Sequence, residues 1–157
     1  MNESYDVAII GRGIVGLAHA LAAAKNGLRV VVIDRTERAT GASIRNFGFV
    51  TVTGQERHEM WPLAHRAKQI WTEVALRAKI EVQQTGLVMS ARRPAAAAIL
   101  ESFMATEMGE GCALLTHKQL AARHPAVPYQ PCAAALVSSH ELRIEAREAI
   151  PALANWM

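Results

Sequence analysis

Three glycines at fixed spacing, directly after a short and mostly apolar run, constrain this chain more than any other feature. Residues 5–10 have the length and composition of a buried parallel strand, and the run ends at Gly11. The segment from Gly11 to Gly16 then fits the pattern G-x-G-x-x-G. In this pattern Gly11 permits a sharp turn out of the strand, Gly13 leaves the backbone open to a close ligand, and Gly16 lets the next helix pack against the strand. The spacing therefore predicts a strand, a tight turn and a helix, in that order.

The residues that follow complete a βαβ unit. A helix is predicted over residues 14–26, because Leu17 and Leu21 recur at helical spacing among small alanines. Gly27 stands where glycine commonly ends a helix. Residues 29–33 are rich in β-branched side chains and predict a second buried strand. We expect the two strands to be parallel, with a right-handed crossover.

Asp34 stands at the end of the second predicted strand, about twenty residues after the glycine pattern. A carboxylate there accepts hydrogen bonds from adenosine ribose hydroxyls, and the free N–H groups of the preceding helix N-terminus attract phosphates. The pattern therefore predicts dinucleotide binding, although a glycine-rich turn in an unrelated α/β protein also fits it. The pattern alone does not distinguish FAD from NAD. The residues predicted to bind the cofactor in this part of the chain are Gly11, Gly13, Ile14, Val15, Gly16, Asp34 and Arg35.

The rest of the chain predicts further helices and strands. A polar loop is expected at 35–46 and an extended segment at 47–53. Helices are predicted over 56–78, 94–108 and 145–156, with a short helix opened by the capping box at 116–119 and ending before Pro125. Strands are predicted over 81–84, 87–90 and 133–138, the first two joined by a turn at Thr85-Gly86. The helix at 56–78, in which Pro62 occupies the first turn or introduces a kink, is expected to bury one stripe formed by Leu63, Ala67, Ile70 and Val74.

Composition excludes some classes of protein. No apolar run approaches the roughly 20 residues that a membrane helix needs. The N-terminus carries acidic residues where a secretory leader has basic ones, so a cytoplasmic protein is expected, with Cys112 and Cys132 as free thiols. The net charge is +3, but the basic residues are scattered, so no nucleic-acid partner is expected.

Several side chains invite a functional interpretation that their spacing does not support. The 6 histidines lack the spacing of a metal site, so no metal is expected. Trp61 and Trp71 are expected in the core or at a domain interface, and His19 in structural packing. Arg12 lies inside the glycine pattern, where its guanidinium either faces solvent or reaches a phosphate.

The segment 41–48, Gly-Ala-Ser-Ile-Arg-Asn-Phe-Gly, resembles a loop of the flavoprotein superfamily of D-amino-acid oxidases, glycine oxidases and sarcosine oxidases. The resemblance implies that FAD is the cofactor and that this loop runs beneath it from the pyrophosphate toward the isoalloxazine ring. It assigns Ser43 as a hydroxyl donor to phosphate. It also places three residues along the flavin, largely through their backbone: Arg45, Asn46 and Gly48. Taken alone, the segment equally fits a solvated surface loop; together with the glycine pattern, it favours FAD over NAD.

The resemblance extends along the chain and sets the expected fold class. Residues 85–90 resemble the strand that enters the family's substrate domain. Residues 124–127 resemble the stretch just before the chain returns to the sheet. Residues 141–145, together with 150–153, resemble the family's next helix. The expected fold class is α/β: an incomplete Rossmann-like FAD-binding βαβ domain with the start of an α+β substrate domain. The expected boundaries are 1–80 for the N-terminal part of the FAD-binding domain, 81–138 for the start of the substrate domain, and 139–157 for the return. The combination also resembles a subgroup associated with phosphonate utilisation.

The implied activity is oxidation of the C–N bond of a small amine or amino acid, with hydride transfer to flavin and hydrolysis of the imine. Family members are much longer, and their substrate-binding Arg and Tyr lie outside the matching segments. No catalytic residue is therefore assigned, and the chain is expected to be an N-terminal fragment. Two alternatives stay open: a fragment of an NAD-linked dehydrogenase, and a non-catalytic nucleotide-binding module.

Overall fold

The computed structural model describes residues 4–157. Its helices and strands are, in chain order, β1 (Val7–Ile10), α1 (Ile14–Lys25), β2 (Val30–Ile33), β3 (Phe49–Val50), α2 (Met60–Arg77), β4 (Val82–Ala91), α3 (Pro94–Met104), β5 (Cys112–Leu115), α4 (His117–Arg123), β6 (Ala134–Ile144) and α5 (Ala146–Trp156). Two short 3-10 turns lie between them, at Ala42–Ile44 and Glu107–Gly109. The mixture of helices with a parallel strand pair confirms the predicted α/β class.

The first three elements form the predicted βαβ unit. Strands β1 and β2 are parallel, with Val7 opposite Val30 and Ile10 opposite Ile33. Helix α1 ends as the position of Gly27 predicts. The Gly27 N–H donates to the Ala24 carbonyl and the Leu28 N–H to the Ala23 carbonyl, and Gly27 has a φ of +78°. These two bonds form a Schellman motif, which satisfies carbonyls that the helix end would leave free.

The chain divides into two compact units. Unit 1 comprises Met1–Phe49, Ile70–Gln83 and Arg143–Met157, and unit 2 comprises Val50–Gln69 and Gln84–Leu142. The core of unit 1 is built from α1, the C-terminal part of α2 and α5; its buried residues are Leu17, Val74, Ala75, Ile80, Ile144, Ala149, Ile150 and Leu153. The core of unit 2 packs α3 against β4 and β6; its buried residues are Ala91, Ala97, Leu100, Ala134 and Leu136.

The stripe predicted for the helix at 56–78 is wrong except at its last member. Helix α2 buries Val74, which is 3% exposed, and its neighbour Ala75. Leu63, by contrast, is 58% exposed, and Ala67 and Ile70 are exposed as well. Only the C-terminal half of α2 contributes to the core of unit 1. The apolar stripe runs along the whole helix, but only its C-terminal end is buried.

The two strand pieces predicted on either side of Thr85-Gly86 form one strand, β4, so the predicted turn is wrong. Gly86 has a φ of +74°, yet the strand continues through it. A Cβ at Gly86 would collide with the Ser138 carbonyl oxygen. Glycine is therefore needed here because another strand passes close by, not because the chain reverses.

Strand β6 is longer than predicted. Residues 141–144, which resemble part of a helix in the related family, belong to this strand, and the helix begins only at Ala146. Glu141, Leu142 and Arg143 are all acceptable in a helix, so their own preferences do not make them a strand. Pairing of β6 with its neighbouring strands does. In the sheet the order is β3-β6-β4, and β5 pairs with β6 in antiparallel register, with Cys112 opposite Ser138.

The remaining helices differ from prediction mainly at their ends. Helix α3 begins at Pro94 as predicted but ends at Met104, before the 3-10 turn. The capping box of α4 is confirmed: the Thr116 hydroxyl accepts from the Gln119 N–H at 3.3 Å, and the Gln119 side chain accepts from the Thr116 N–H at 2.8 Å. Helix α5 follows Glu145, whose side chain caps it. Within residues 4–157, no helix has the length and apolar character needed to cross a membrane.

Candidate functional site

The glycine turn between β1 and α1 has the geometry that its pattern predicts. Gly11 leaves the strand with a φ of +108°, and its N–H donates to the Ile33 carbonyl at 2.8 Å. A Cβ at Gly16 would collide with the Gly11 carbonyl oxygen, and one at Gly13 would lie 3.0 Å from the Ser43 hydroxyl oxygen. Gly16 therefore has no room for a side chain and Gly13 has little, and the backbone at Gly13 is left uncovered by any side chain of its own.

Ser43 lies directly against the start of α1. Its hydroxyl accepts a hydrogen bond from the Ile14 N–H at 3.0 Å. The Ile14 N–H is one of the helix N-terminal donors that have no partner within the helix. The 3-10 turn Ala42–Ile44 holds Ser43 in this position. The structure thus brings a residue 29 positions away to the glycine turn, on the side where the N-terminal donors of α1 point.

Asp34 is tied to the glycine turn as well. Its Oδ2 accepts a 2.6 Å hydrogen bond from the Arg12 N–H, and its Oδ1 accepts from the Thr36 N–H and hydroxyl, each at 2.9 Å. The hydrogen bond from the Arg12 N–H, followed by those from Thr36, lowers the pKa of Asp34 from 3.8 to about 2. The carboxylate is therefore charged at neutral pH. The sequence predicted a charged acceptor at this position but not its bond to Arg12.

The Arg12 side chain makes two exposed hydrogen bonds on the α5 side of the glycine turn. Its guanidinium donates to the Glu37 carbonyl at 3.1 Å and to Asn155 Oδ1 at 3.3 Å. It lines a cleft of about 620 Å³ on the α5 side of the glycine turn, which Arg38 and Arg147 also line. Three guanidinium groups and the Glu37 side chain line this cleft, so basic groups outnumber acidic ones there.

The loop that ends at Gly48 is held by its own side chains. Asn46 Nδ2 donates to the Ser43 carbonyl at 2.9 Å, and Asn46 Oδ1 accepts from the Gly48 N–H at 2.8 Å. Gly48 has a φ of +69°, and a Cβ there would collide with the Ile144 carbonyl oxygen. The structure thus assigns Asn46 and Gly48 a loop-building role that the sequence did not predict. Arg45 is exposed.

A groove of about 420 Å³ runs along the open side of the glycine turn. Ile10 and Val15, both exposed, form its apolar wall. His19, one turn further along α1, is exposed and places its Nδ1 2.7 Å from the Val15 carbonyl oxygen, so it bonds to its own helix and is not packed in a core. The residues that line the groove are Ile9, Ile10, Gly11, Gly13, Val15, Gly16, His19 and Ser43. Six of the predicted site residues line neither this groove nor the basic cleft: Ile14, Asp34, Arg35, Arg45, Asn46 and Gly48.

This geometry passes a physical test for a dinucleotide such as FAD. Any side chain at residue 13 would fill the space between the turn and Ser43. A pyrophosphate site needs such a position to be glycine, so that the phosphates can approach the backbone. The N-terminus of α1 begins at the same turn, where Ser43 bonds the Ile14 N–H, and a charged carboxylate stands at the end of β2.

The family model of FAD-dependent oxidoreductases, termed DAO, matches residues 6–157, and the chain belongs to that family. Glycine oxidase from Bacillus cereus superposes on 98% of this chain with a TM-score of 0.76 at 20% identity, and the match covers 43% of that protein. L-amino acid deaminase from Proteus vulgaris superposes on 99% of it with a TM-score of 0.81 at 18% identity, covering 38% of that protein. These structures share the fold of this chain.

Two further comparisons concern glycerophosphate enzymes. L-alpha-glycerophosphate oxidase from Mycoplasma pneumoniae, a structure with FAD bound, superposes with a TM-score of 0.75 at 20% identity over 98% of this chain and 42% of that one. One subunit of the anaerobic glycerol-3-phosphate dehydrogenase from Escherichia coli is 45% identical over 49 residues, 31% of this chain and 9% of that protein. FAD is therefore the cofactor of the family, and the chain spans less than half the length of each of these relatives.

Other side chains noted in the sequence take ordinary places. In the described part of the chain, no group of three or more His, Cys, Asp or Glu side chains could hold a metal ion. Cys112 and Cys132 are free thiols, and Cys132 Sγ lies 3.9 Å from His117 Nδ1. Trp71 packs against the core of unit 1, as predicted. Trp61 instead lies against His65, an arrangement that the sequence did not predict.

Proposed function

We propose that the glycine turn, Ser43 and Asp34 together bind the ADP half of FAD. The observation that carries this proposal is the convergence of three separate segments on one turn. The Arg12 N–H is bonded to Asp34, the Ile14 N–H is bonded to Ser43, and the backbone between them is free of side chains. In this proposal the pyrophosphate lies over Gly13, where it receives the Val15 N–H and the Ser43 hydroxyl, and it receives the Ile14 N–H only if that group gives up its bond to Ser43.

The adenosine ribose then lies at Asp34, at the end of β2. Both Asp34 oxygens already accept bonds from the loop, and a carboxylate oxygen has capacity for a further donor such as a ribose hydroxyl. The flavin half extends along the groove past Ile10 and Ser43. Arg45, Asn46 and Gly48 hold the loop beneath it, with Asn46 fixing the loop's shape. Arg35, the neighbour of Asp34, lies at the edge of the ribose position.

We further propose that the whole protein oxidises the C–N bond of a small amine or amino acid. Bound FAD supplies the chemistry, by accepting a hydride from the carbon that carries the nitrogen. Support comes from the loop 41–48 and from the glycine oxidase and amino acid deaminase that share this fold. The assignment of residues 81–138 to a substrate domain and the likeness to the phosphonate-associated subgroup stay predictions.

A second candidate is oxidation of the C–OH group of glycerol 3-phosphate. It is favoured by the 45% identity to the anaerobic dehydrogenase, which extends over 49 residues. Structural likeness covers nearly all of the chain for the glycerophosphate oxidase and for the amino-acid enzymes alike, so it does not separate the two reactions. The loop 41–48 is the feature that favours the amine reaction. We therefore place the amine reaction first.

The two reactions are separated by reduction of the flavin under anaerobic conditions. FAD-loaded protein is mixed with glycine, sarcosine, D-alanine, L-proline, ethylamine or glycerol 3-phosphate, and the visible flavin absorbance is followed. Bleaching by an amine or amino acid, with none by glycerol 3-phosphate, is the expected result. Bleaching by glycerol 3-phosphate alone contradicts the amine assignment. Flavin that binds but is bleached by no compound, and only by dithionite, supports the non-catalytic alternative. Tighter retention of NAD than of FAD supports the NAD-linked alternative.

A further inference from the structure

Unit 2 contains a cavity of about 300 Å³ at the C-terminal end of α4. Arg123 and His124 line it from α4, Thr85 from β4 and Val137 from β6. Every residue that lines this cavity belongs to unit 2, so it is a site within one unit. Its volume lies at the lower end of the range for pockets that bind small molecules.

Two consecutive residues bring unpartnered polar groups to this cavity. Among residues 4–157, the Arg123 guanidinium takes part in no hydrogen bond or ion pair. His124 Nε2 is buried and has no hydrogen-bond partner in the same part of the chain. The His124 ring packs edge-on to Tyr129, with ring centres 6.3 Å apart. Buried polar atoms almost always have a partner, so His124 Nε2 calls for an explanation.

The other side chains of the cavity contribute no negative charge. None of the described residues that line it is acidic. The Ser139 hydroxyl donates to the Gly111 carbonyl at 3.1 Å, and the Ser138 hydroxyl bonds to the buried Glu141 carboxylate, which does not line the cavity. Both hydroxyl protons are therefore in use. Arg123 is the one side chain of the lining that carries a permanent charge, and that charge is positive.

Two other interpretations of these residues account for less. The last turn of a helix attracts a cation, which explains a basic residue at position 123 but not the unpartnered His124 Nε2. Cys112 and His124 both line the cavity and are residue types that bind metals. Within the described residues, however, no group of three or more His, Cys, Asp or Glu side chains could hold a metal ion.

We propose that this cavity binds a small carboxylate, which pairs with Arg123 and accepts a hydrogen bond from His124 Nε2. A guanidinium presents parallel N–H groups that match the two oxygens of a carboxylate. A histidine ring presents an N–H at Nε2 when it is charged or in the matching neutral tautomer. Ala113 and Val137 add apolar wall, which suits a short hydrocarbon group better than an inorganic anion. The proposal is independent of the flavin reaction proposed above.

Propionate is a suitable probe because it joins a carboxylate to a short apolar group. The full chain is titrated with sodium propionate at pH 7 and constant ionic strength, and the histidine ring proton signals are followed by NMR. The chain has 6 histidines, and the signal that is missing from His124→Gln identifies His124. Propionamide has the same shape without the charge, and inorganic phosphate has the charge without the apolar group. We expect a saturable shift of the His124 signal with propionate, none with propionamide and weaker binding of phosphate.

The variants compare removal of this charge with removal of another in the same unit. Arg123→Gln should weaken propionate binding by roughly tenfold or more, because charge-assisted hydrogen bonds are lost. Arg123 is exposed, so this replacement leaves the core intact. Arg92→Gln removes an exposed arginine of unit 2 that does not line the cavity, and it should leave the affinity unchanged. His124→Gln, followed by calorimetry, should weaken binding by about threefold to tenfold.

Four results would overturn the proposal. The first is a propionate titration in which the His124 signal shows no saturable shift. Equal propionate affinity in the wild type and Arg123→Gln would remove the ion pair on which the site depends. Equal binding of propionamide, or tighter binding of phosphate, would mean that the cavity does not select a carboxylate. A loss of affinity in Arg92→Gln as large as that in Arg123→Gln would mean that the effect comes from net charge and not from the cavity.

Discussion

The Arg12 N–H donates a 2.6 Å hydrogen bond to the Asp34 carboxylate and so joins the glycine turn to the end of β2, 22 residues further along the chain. This bond places a fixed negative charge beside the backbone on which the cofactor pyrophosphate is expected. It also means that Asp34 serves two purposes, since the group proposed to bind ribose is the group that shapes the turn.

Replacement of Asp34 by asparagine should weaken FAD binding. The asparagine side chain would keep the size of the aspartate side chain but lose its charge. One carboxylate oxygen would be replaced by an amide NH₂, which cannot accept a hydrogen bond from the donor that binds that oxygen in the wild type. We expect FAD affinity to fall by roughly tenfold or more, measured by quenching of flavin fluorescence. Glu81→Gln, which removes an exposed charge in the same unit, is the control and should bind FAD as the wild type does. Unchanged affinity in Asp34→Asn would count against the ribose assignment.

Gly16 and Gly41 test whether glycine is needed for packing. A Cβ at Gly16 would collide with the Gly11 carbonyl oxygen, whereas one at Gly41 meets nothing within 4 Å. Gly16→Ala should therefore lower the free energy of unfolding by about 1–3 kcal/mol. Gly41→Ala should change it by less than about 0.5 kcal/mol. Urea denaturation followed by circular dichroism measures both, and equal stability of the two variants would contradict the tight packing of α1 on the turn.

Gly13 tests the position of the pyrophosphate. Gly13→Val should abolish FAD binding, because its side chain would fill the cradle over the turn. The Cβ would also lie 3.0 Å from the Ser43 hydroxyl, so steric strain on that side chain must be excluded as the cause. In the double variant Gly13→Ala with Ser43→Gly this contact is gone while a Cβ remains over the turn. We expect its FAD binding to stay below that of Ser43→Gly alone; equal retention by the two would place the pyrophosphate elsewhere.

The pKa of Asp34 predicts how the turn responds to acid. In the folded protein this pKa is about 2, against 3.8 for the free side chain. The hydrogen bonds to Asp34 therefore contribute their full stability above pH 3.8, and the contribution is lost as the pH falls through about 2. A carboxyl carbon NMR titration should show Asp34 still ionised at pH 3. A midpoint near 4 would mean that the Arg12 and Thr36 bonds do not form in solution.

The βαβ unit could be predicted from sequence because its signals are local. Gly11, Gly16 and Gly27 each act on the backbone within a few residues, and the structure places all three as the pattern requires. Gly86 illustrates the limit. Its flanking residues fit a turn, and only the carbonyl of Ser138 on a distant segment explains why glycine is needed within a continuous strand.

Long-range contacts account for what the sequence did not predict at the candidate site. The bond from the Arg12 N–H to Asp34 involves a backbone donor, which carries no sequence signal. The contact between the His65 and His140 rings likewise depends on the folding of α2 and β6 and has no motif spacing. Residues 141–145 were instead compared with a helix of the related family, whereas strand pairing places residues 141–144 in β6.

Retention of FAD by the purified chain tests the central claim most directly. The chain is incubated with FAD, free cofactor is removed by desalting, and the absorbance spectrum of the protein fraction is recorded beside that of Gly13→Val. We predict that flavin absorbance stays with the wild-type protein and is lost from the variant. A folded, monodisperse wild-type chain that keeps no more flavin than Gly13→Val would contradict the assignment of the glycine turn, Ser43 and Asp34 as the FAD site.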